Sequence, residues 1–174
     1  MLAGLKAIKV STERCNFSMM DLSKLHWYDI NYFRDIPEKV LFWIRDDQSL
    51  TQKLKKRYPD FRVEVHKQEE SAIYNHEINQ IGNEENFIVR EVSLYGDNQP
   101  VVFARSVIPK NTKTDSIMKI GNKPLGEILF TDPNILREPI EITFQNNIWG
   151  RRSVFVMNDS RILVSEFFIE EIYA

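Results

Sequence analysis

Hydrophobic and polar residues alternate with a period of two over most of the chain after Phe61, which is the pattern of β-strands. The alternation predicts strands at about residues 61–69, 87–95, 99–108, 138–145, 151–157 and 161–169. Two of the links between them, Gly96-Asp97-Asn98 and Asn158-Asp159-Ser160, contain the residues that tight hairpin turns favour. Because a hairpin joins antiparallel neighbours, the pattern predicts one antiparallel sheet.

Before the first strand the pattern is helical. The segment from Pro37 to Ile44 opens with a proline and a glutamate, which are both favourable at the start of a helix. Ser49 and Gln52 have the spacing of a capping box, which predicts a short basic helix that ends before Pro59. A further short helix is predicted from Lys123 to Phe130. An antiparallel sheet of about six strands with helices on one face is an α+β fold.

The length and composition are those of one globular domain. The chain has 174 residues, of which 43% are hydrophobic and 28% charged, and no linker divides it, so we treat residues 1–174 as a single domain. Its 23 basic and 25 acidic residues give a net charge of −2, which argues against a nucleic-acid partner. No apolar run approaches the roughly 20 residues that span a bilayer, so we expect no membrane insertion.

The cysteine and the histidines of the chain show no pattern of a disulfide or of a metal site. Cys15 is the only cysteine, which excludes an intramolecular disulfide and every metal site made of several cysteines. His26, His66 and His76 have no carboxylate or cysteine near them at the spacing of metal ligands. We therefore expect no metal, no cofactor and a reducing location, which is the cytoplasm, or the plastid stroma if an organelle encodes the protein.

Three charged residues interrupt rows of alternate residues that are otherwise apolar. Arg90 interrupts the second predicted strand, Arg105 the third and Glu166 the last. A charge removed from water without a partner is costly, so each of these residues needs a compensating group. A hairpin centred on Asp97-Asn98 would place Arg90 directly opposite Arg105, and two like charges so placed destabilise a sheet unless an anion lies between them.

Two explanations of these charges remain open. In the first, Glu166 forms a structural ion pair with one arginine and the other arginine reaches a strand edge. In the second, the arginines bind a small ligand with more than one carboxylate, which is the group that arginine recognises best. The last predicted helix would add the backbone N–H groups of Leu125 and Gly126 to such a site. Arg151 and Arg152 are two more cations, and we expect at least one of them on the surface.

Four segments carry a more specific signal through their order and spacing. They are Val89-Arg90-Glu91-Val92 with Ala104-Arg105-Ser106-Val107-Ile108-Pro109, Lys123-Pro124-Leu125-Gly126 with Leu129-Phe130, Trp149-Gly150-Arg151-Arg152-Ser153, and Leu163-Val164-Ser165-Glu166-Phe167-Phe168. With these segments the chain resembles the chorismate pyruvate-lyase family (chorismate lyase, or 4-hydroxybenzoate synthase) from about Asp46 to Phe168. The resemblance implies the chorismate lyase-like α+β fold, and we expect a monomer.

The resemblance also implies an activity and a site. The family eliminates the enolpyruvyl group of chorismate to give 4-hydroxybenzoate and pyruvate, without a cofactor, as the first step toward ubiquinone or plastoquinone. Its members hold the ring carboxylate with the residue that matches Arg90 and the backbone amide that matches Leu125, while the residue that matches Glu166 faces the ring hydroxyl. The match of Arg105 lies in the adjoining part of the cavity, and the match of Leu50 contacts the ligand through its backbone. Arg90 and Glu166 are the expected catalytic residues.

A non-catalytic alternative has the same fold. The effector-binding domains of certain bacterial transcription regulators hold small ligands and resemble this fold, but they follow a DNA-binding domain of about 60–70 residues. Only about 36 residues precede Pro37 in this chain, and they are not basic. The enzyme is therefore the favoured interpretation.

Overall fold

One antiparallel sheet of eight strands organises the part of the chain that the computed structural model describes, which is residues 20–45, 47–83 and 86–174. The spatial order is β1-β6-β7-β8-β4-β3-β2, and β5 pairs with β7 beside β6. The α+β class is thus confirmed, and the sheet has two more strands than expected because two of them are only two residues long. The strands are β1 (Tyr28–Asp29), β2 (Arg62–Glu70), β3 (Phe87–Gly96), β4 (Gln99–Pro109), β5 (Leu136–Arg137), β6 (Glu141–Gln145), β7 (Ile148–Met157) and β8 (Ser160–Phe168).

Five short α-helices accompany the sheet in the described residues: α1 (Glu38–Ile44), α2 (Leu50–Arg57), α3 (Asn75–Ile81), α4 (Asp115–Met118) and α5 (Gly126–Leu129). Three of them, α1, α2 and α5, were expected, although α5 is only four residues long. The Ser49 hydroxyl accepts a hydrogen bond from the Gln52 amide at 3.4 Å and so caps α2 as predicted. Among the described residues, no helix has the length and apolar character to cross a membrane.

Both faces of the sheet are covered, so the central strands are buried along almost their whole length. The face that carries Arg90 and Glu166 packs against α1, α2, α4 and α5, and we call it the cavity face. The opposite face carries Glu91 and Arg105 and packs against α3 and residues 20–27, and we call it the rear face. The expected packing of helices on one face therefore holds for all the described α-helices except α3.

Three hairpins set the order of the strands. Both residues of the turn Asp97-Asn98 have positive φ (51° and 58°), as do both residues of Asn158-Asp159 (49° and 65°). These left-handed conformations match the twist of a two-residue hairpin, and asparagine and aspartate tolerate them better than other non-glycine residues. Both predicted hairpins are confirmed, and Asn146-Asn147 forms a third one between β6 and β7.

A β-bulge follows the first hairpin directly. Gly96 pairs with Gln99 and Tyr95 with Pro100, but the next residue on β3, Leu94, pairs with Val102, so Val101 is an extra residue on β4. Pro100 lacks an N–H group, and a proline within a sheet is found at an edge or a bulge. The register beyond this point is displaced by one residue.

The displacement overturns the expected pairing of the two arginines. Arg90 lies opposite Ser106, and Arg105 lies opposite Glu91. Successive side chains of a strand point to opposite faces, so a shift of one residue moves Arg105 to the rear face. The prediction that Arg90 and Arg105 face each other is therefore wrong, and so is the prediction that Arg105 adjoins the same cavity as Arg90.

Candidate active site

A pocket lies between the cavity face and the helices α2 and α5. Four of the residues singled out from the sequence line it, namely Leu50, Arg90, Leu125 and Glu166, whereas Arg105 does not. Its other lining residues are mostly apolar or small: Thr51, Val63, Val92, Leu94, Ala104, Ser106, Pro124, Gly126, Leu129, Phe130, Arg137, Arg151, Ser153, Phe155 and Val164. An apolar pocket with a few convergent polar groups is the usual form of a small-molecule site.

Arg90 is the charged residue at one end of this pocket, and it is 2% exposed. Its guanidinium donates to the side-chain oxygen of Gln68 and to the carbonyl oxygens of Gly121 (2.9 Å) and Lys123 (3.1 Å). No carboxylate of the described residues lies within ion-pair distance of it, and burial lowers the pKa of Arg90. The three acceptors orient the cation but leave its charge without a counter-ion, which makes this end of the pocket suited to an anion.

The first turns of α2 and α5 meet beside Arg90. In the described part of the chain, the backbone N–H groups of Leu125 and Gly126 donate to no acceptor, as is usual at a helix start. Gly126 allows the close approach of the two helices, because a Cβ atom there would lie 3.1 Å from the Thr51 hydroxyl oxygen. An ion pair between Lys55 and Glu127 joins the helices on the outside. Leu125 and Gly126, whose amides have no acceptor among the described residues, therefore line the same pocket as the guanidinium of Arg90.

Glu166 lies on β8, in the row of pocket residues adjacent to that of Arg90. Its carboxylate accepts a hydrogen bond from Nε of Arg151 at 2.6 Å, and its side chain is 17% exposed. Nη1 of Arg151 donates to the carbonyl oxygens of Trp43 (2.9 Å) and Ile44 (3.2 Å) at the end of α1. The predicted structural ion pair of Glu166 thus exists, but its partner is neither Arg90 nor Arg105.

The expectation that Arg151 or Arg152 lies on the surface is wrong, because the two are 1% and 5% exposed. Neighbouring residues of β7 point to opposite faces, so Arg151 lines the pocket and Arg152 lies on the rear face. There, Nε of Arg152 donates to Glu141 at 2.7 Å. Burial lowers the pKa of Arg152, although Glu141 acts in the opposite direction.

Arg105 lies at the centre of a buried network on the rear face. Its Nε and Nη2 donate to the two oxygens of Glu77 at 2.7 and 2.9 Å, and its Nη1 donates to Glu91 at 2.7 Å. The ring of Tyr74 lies 4.3 Å from the guanidinium carbon. Burial acts to lower the pKa of Arg105, but the two carboxylates outweigh it and raise the pKa. Each of the three guanidinium nitrogens of Arg105 donates to a carboxylate of this chain, and Arg105 does not line the pocket.

Arg137 and Ser153 also line the pocket, and the sequence pattern did not single out either of them. Nε of Arg137 donates to the Ser153 hydroxyl at 3.1 Å. The guanidinium carbon lies 5.5 Å from the ring centroids of both Phe130 and Phe155. Arg137 belongs to the two-residue strand β5, which is too short to show a period, so only its register on β7 reveals its position.

The histidines have ordinary packing roles where they are described. Nε2 of His66 is 2.7 Å from the Ser93 hydroxyl, Nε2 of His76 is 2.8 Å from the Leu22 carbonyl oxygen, and His26 is exposed. Cys15 lies outside the described residues. Within the residues that are described, no group of three or more His, Cys, Asp or Glu side chains is arranged to hold a metal ion.

Comparison with known proteins gives one consistent family. A family model described as "Chorismate lyase" matches residues 21–174. A Pseudoalteromonas atlantica protein named "Probable chorismate pyruvate-lyase" is 36% identical over 148 residues, which cover 73% of this chain and 77% of that protein. A Psychromonas ingrahamii protein of the same name is 37% identical over 154 residues, with coverages of 76% and 83%. The "Chorismate pyruvate-lyase" of Pectobacterium atrosepticum is 32% identical over 141 residues, with coverages of 78% and 80%.

Proposed function

The chain belongs to the chorismate lyase family, and on this basis we propose that it converts chorismate to 4-hydroxybenzoate and pyruvate. The observation that carries the proposal is the buried guanidinium of Arg90, which has no carboxylate partner among the described residues and lies beside the free amides of Leu125 and Gly126. This arrangement matches a carboxylate attached to a six-membered carbon ring, which the substrate and the aromatic product share.

In this reaction the protein mainly has to bind chorismate and to stabilise the negative charge that develops on the leaving group. The C3–O bond of chorismate breaks, the C4 hydrogen leaves as a proton, and the ring becomes aromatic. The departing enolpyruvate takes up one proton at its methylene carbon and becomes pyruvate, so no atoms are gained or lost. This elimination is redox-neutral, and we propose that it proceeds without a cofactor. Fixed donors in a pocket shielded from water can stabilise the negative charge that develops on the leaving group.

Glu166 is proposed to act at the C4 end of the ring. Its hydrogen bond with Arg151 leaves one carboxylate oxygen for the ligand, so Glu166 can accept a hydrogen bond from the C4 hydroxyl group. It either orients this hydroxyl group or accepts the C4 proton, and both roles require its carboxylate to lie near C4. Leu50, the first residue of α2, is proposed to contact the ligand through its backbone.

The proposed setting is the start of quinone biosynthesis in the cytoplasm, with the protein as a monomer. The relatives described above are bacterial, so they give no support to the plastid location that the sequence left open. The effector-binding alternative also has no support, because the family and these relatives bear the names of lyases.

The direct test is to incubate the purified protein with chorismate and to follow 4-hydroxybenzoate and pyruvate by chromatography. We expect the two products in equal amounts, at a rate that a chelator such as EDTA does not change. A protein that binds 4-hydroxybenzoate but never turns over chorismate would instead support the effector-binding alternative.

A further inference from the structure

Gln68 on β2 gives Arg90 its only side-chain acceptor among the described residues. The other two acceptors are the backbone carbonyl oxygens of Gly121 and Lys123, which are neutral whatever side chain is present. Gln68 lies directly opposite Arg90 in the register of β2 on β3, and it is exposed, whereas Arg90 is buried. The residue at position 68 therefore decides whether Arg90 has a neutral or a charged partner.

A β-bulge brings Gln68 to this position. The pairing of β2 with β3 follows one register up to Val65 and another from Lys67 onward, so His66 is an extra residue on β2. In an uninterrupted ladder Lys67 would lie opposite Arg90, and two cations so placed destabilise a sheet. The bulge thus puts a neutral amide, instead of an ammonium group, beside the buried guanidinium.

The side-chain amide of Gln68 has two partners of opposite kind. Its oxygen accepts a hydrogen bond from Nη1 of Arg90, and its Nε2 donates to the carbonyl oxygen of Met118 at 3.1 Å. A guanidinium is only a donor and a carbonyl oxygen is only an acceptor, so the two contacts fix which end of the amide faces Arg90. A carboxylate at this position has no hydrogen to donate to Met118, and an ammonium group has no lone pair to accept from Arg90.

The contact with Met118 connects β2 to the segment that holds Arg90 from the other side. Met118 is the last residue of α4, and the carbonyl oxygens of Gly121 and Lys123 follow it within five residues. Gln68 therefore fixes both the guanidinium and the start of the segment that carries its two backbone acceptors.

Part of the guanidinium of Arg90 stays open to a ligand. Nη2 donates to two carbonyl oxygens and Nη1 to Gln68, which uses three of the five N–H donors. The N–H of Nε and one N–H of Nη1 have no acceptor in the described part of the chain. Gln68 does not line the pocket, so any effect on a ligand passes through Arg90, which does.

The rear face shows what a charged partner does to an arginine of this sheet. Arg105 lies opposite Glu91, and all three of its nitrogens donate to carboxylates. Arg90 lies opposite Gln68 on its β2 side, and no described carboxylate is within ion-pair distance of it. An amide in place of a carboxylate is thus the difference between the two positions.

We propose that Gln68 is a positioning residue that orients Arg90 and, because it is neutral, keeps the charge of Arg90 for the carboxylate of the ligand. This inference rests on the proposed function, because it concerns the ring-carboxylate end of the same pocket. It predicts that a negative charge at position 68 harms ligand binding more than the loss of the amide does.

The test compares Gln68→Glu with Gln68→Met, whose side chains are similar in length to that of glutamine. In Gln68→Glu we expect the KM for chorismate and the Kd for 4-hydroxybenzoate to rise about tenfold or more, because the introduced carboxylate pairs with Arg90 and opposes the ligand's carboxylate. In Gln68→Met, which removes the acceptor without adding charge, both should rise roughly two- to tenfold. In both variants kcat should change less than KM.

The matched control is Gln99→Glu. Gln99 is also an exposed glutamine of the sheet, but it lies at the start of β4, seven residues before Ser106, the residue opposite Arg90. This variant adds the same charge to the protein far from Arg90, so its KM and Kd should stay within about twofold of the original values. Thermal melting without ligand verifies that each variant is folded.

The outcomes separate this inference from the proposed function. The inference is wrong if Gln68→Glu binds both ligands as tightly as the unmodified protein, or if Gln99→Glu weakens binding equally. It is also wrong if Gln68→Met loses as much affinity as Gln68→Glu, because the side chain would then act only by its packing. If Gln68→Glu does not fold, Gln68→Met decides, and an unchanged Kd for 4-hydroxybenzoate overturns the inference.

Binding of 4-hydroxybenzoate decides the inference even without turnover. If the unmodified protein binds this ligand but never converts chorismate, the proposed function has failed, and the order of the Kd values in the variants still supports or overturns the role of Gln68. If the unmodified protein binds neither ligand, both are wrong.

Discussion

Both faces of the sheet bury arginines, and on the cavity face Arg151 pairs with Glu166, but Arg90 differs from the arginines of the rear face in its partners. On the rear face, Arg105 donates to two carboxylates and Arg152 to a third, so each cation has an anion of this chain beside it. On the cavity face, Arg90 is equally buried, but among the described residues its hydrogen-bond acceptors are an amide oxygen and two carbonyl oxygens. Burial of a charge is therefore not what distinguishes a binding site here. The distinguishing feature is a buried charge that has no carboxylate partner in the described part of the chain.

The physical reason lies in what each arrangement costs. A buried ion pair offsets the desolvation of its two charges by their mutual attraction, and removal of one partner leaves the other unpaired. A cation that is held only by neutral acceptors keeps much of its desolvation cost until an anion binds. The rear face should therefore govern stability, and the cavity face should govern activity.

The largest effect should come from Arg105→Met, which breaks the rear network. Glu77 and Glu91 would remain buried without their cation, and we expect the free energy of unfolding to fall by about 3–5 kcal/mol. Urea denaturation measures this loss. The kcat/KM for chorismate per folded molecule should stay near its original value. A stable variant with strongly reduced kcat/KM would show that Arg105 serves the ligand after all.

Arg90→Ala should give the reverse result. We expect kcat/KM to fall by about 100-fold or more, because the ring carboxylate would lose the charged partner that we propose for it. The melting temperature should be nearly unchanged or higher, since the variant removes a buried charge that has no counter-ion among the described residues. Steady-state kinetics and thermal melting without ligand test the two halves of this prediction. Near-normal kcat/KM would mean that the anion site is elsewhere.

Glu166→Gln should separate binding from chemistry on the cavity face. The variant keeps the size of the side chain and a hydrogen-bond acceptor for Arg151, so we expect the affinity for 4-hydroxybenzoate to change less than kcat. A loss of kcat of about 10- to 1,000-fold would fit a role in proton transfer or in orienting the hydroxyl group. An unchanged kcat would exclude proton transfer by Glu166.

A pair of glycine variants gives the smallest and most local comparison. A Cβ at Gly150 would lie 2.9 Å from side-chain atoms of Phe167 and Thr143 on the rear face, so Gly150→Ala should reduce the free energy of unfolding by about 1–3 kcal/mol. A Cβ at Gly126 would lie 3.1 Å from the Thr51 hydroxyl oxygen at the pocket, so Gly126→Ala should mainly raise KM. Equal stability losses in the two variants would contradict the division of roles between the faces.

Much of the fold can be predicted from local chemistry. The turn residues at Asp97-Asn98 and Asn158-Asp159 identify the hairpins, because few other residues accept positive φ. The interruption of apolar rows at Arg90 and Glu166 points to two residues that do line the pocket. These features follow from the preferences of single residues and from a period of two, which are visible along the chain.

Other features depend on contacts that the pattern does not encode. Both faces of β4 are covered, so both are apolar, and the extra residue at Val101 does not disturb the alternation of the sequence. The alternation therefore does not show on which face of the sheet Arg105 lies. The partner of Glu166 is Arg151, which the register of β7 on β8 supplies. Arg137 lines the pocket from the two-residue strand β5, and its position is likewise set by strand pairing, here with β7. Pairing between distant segments decides all three cases.

The bulge at Val101 keeps a structural arginine and a pocket arginine on different faces of the sheet. If Val101 paired with Leu94 in an uninterrupted ladder, the rest of β4 would move by one position against β3, and Arg105 would lie opposite Arg90. Deletion of Val101 itself would leave Leu94 opposite Val102 and Arg90 opposite Ser106, so a change of length at the bulge is tolerated. A single insertion or deletion between Val102 and Arg105 would instead turn Arg105 toward the cavity face and remove it from its carboxylates.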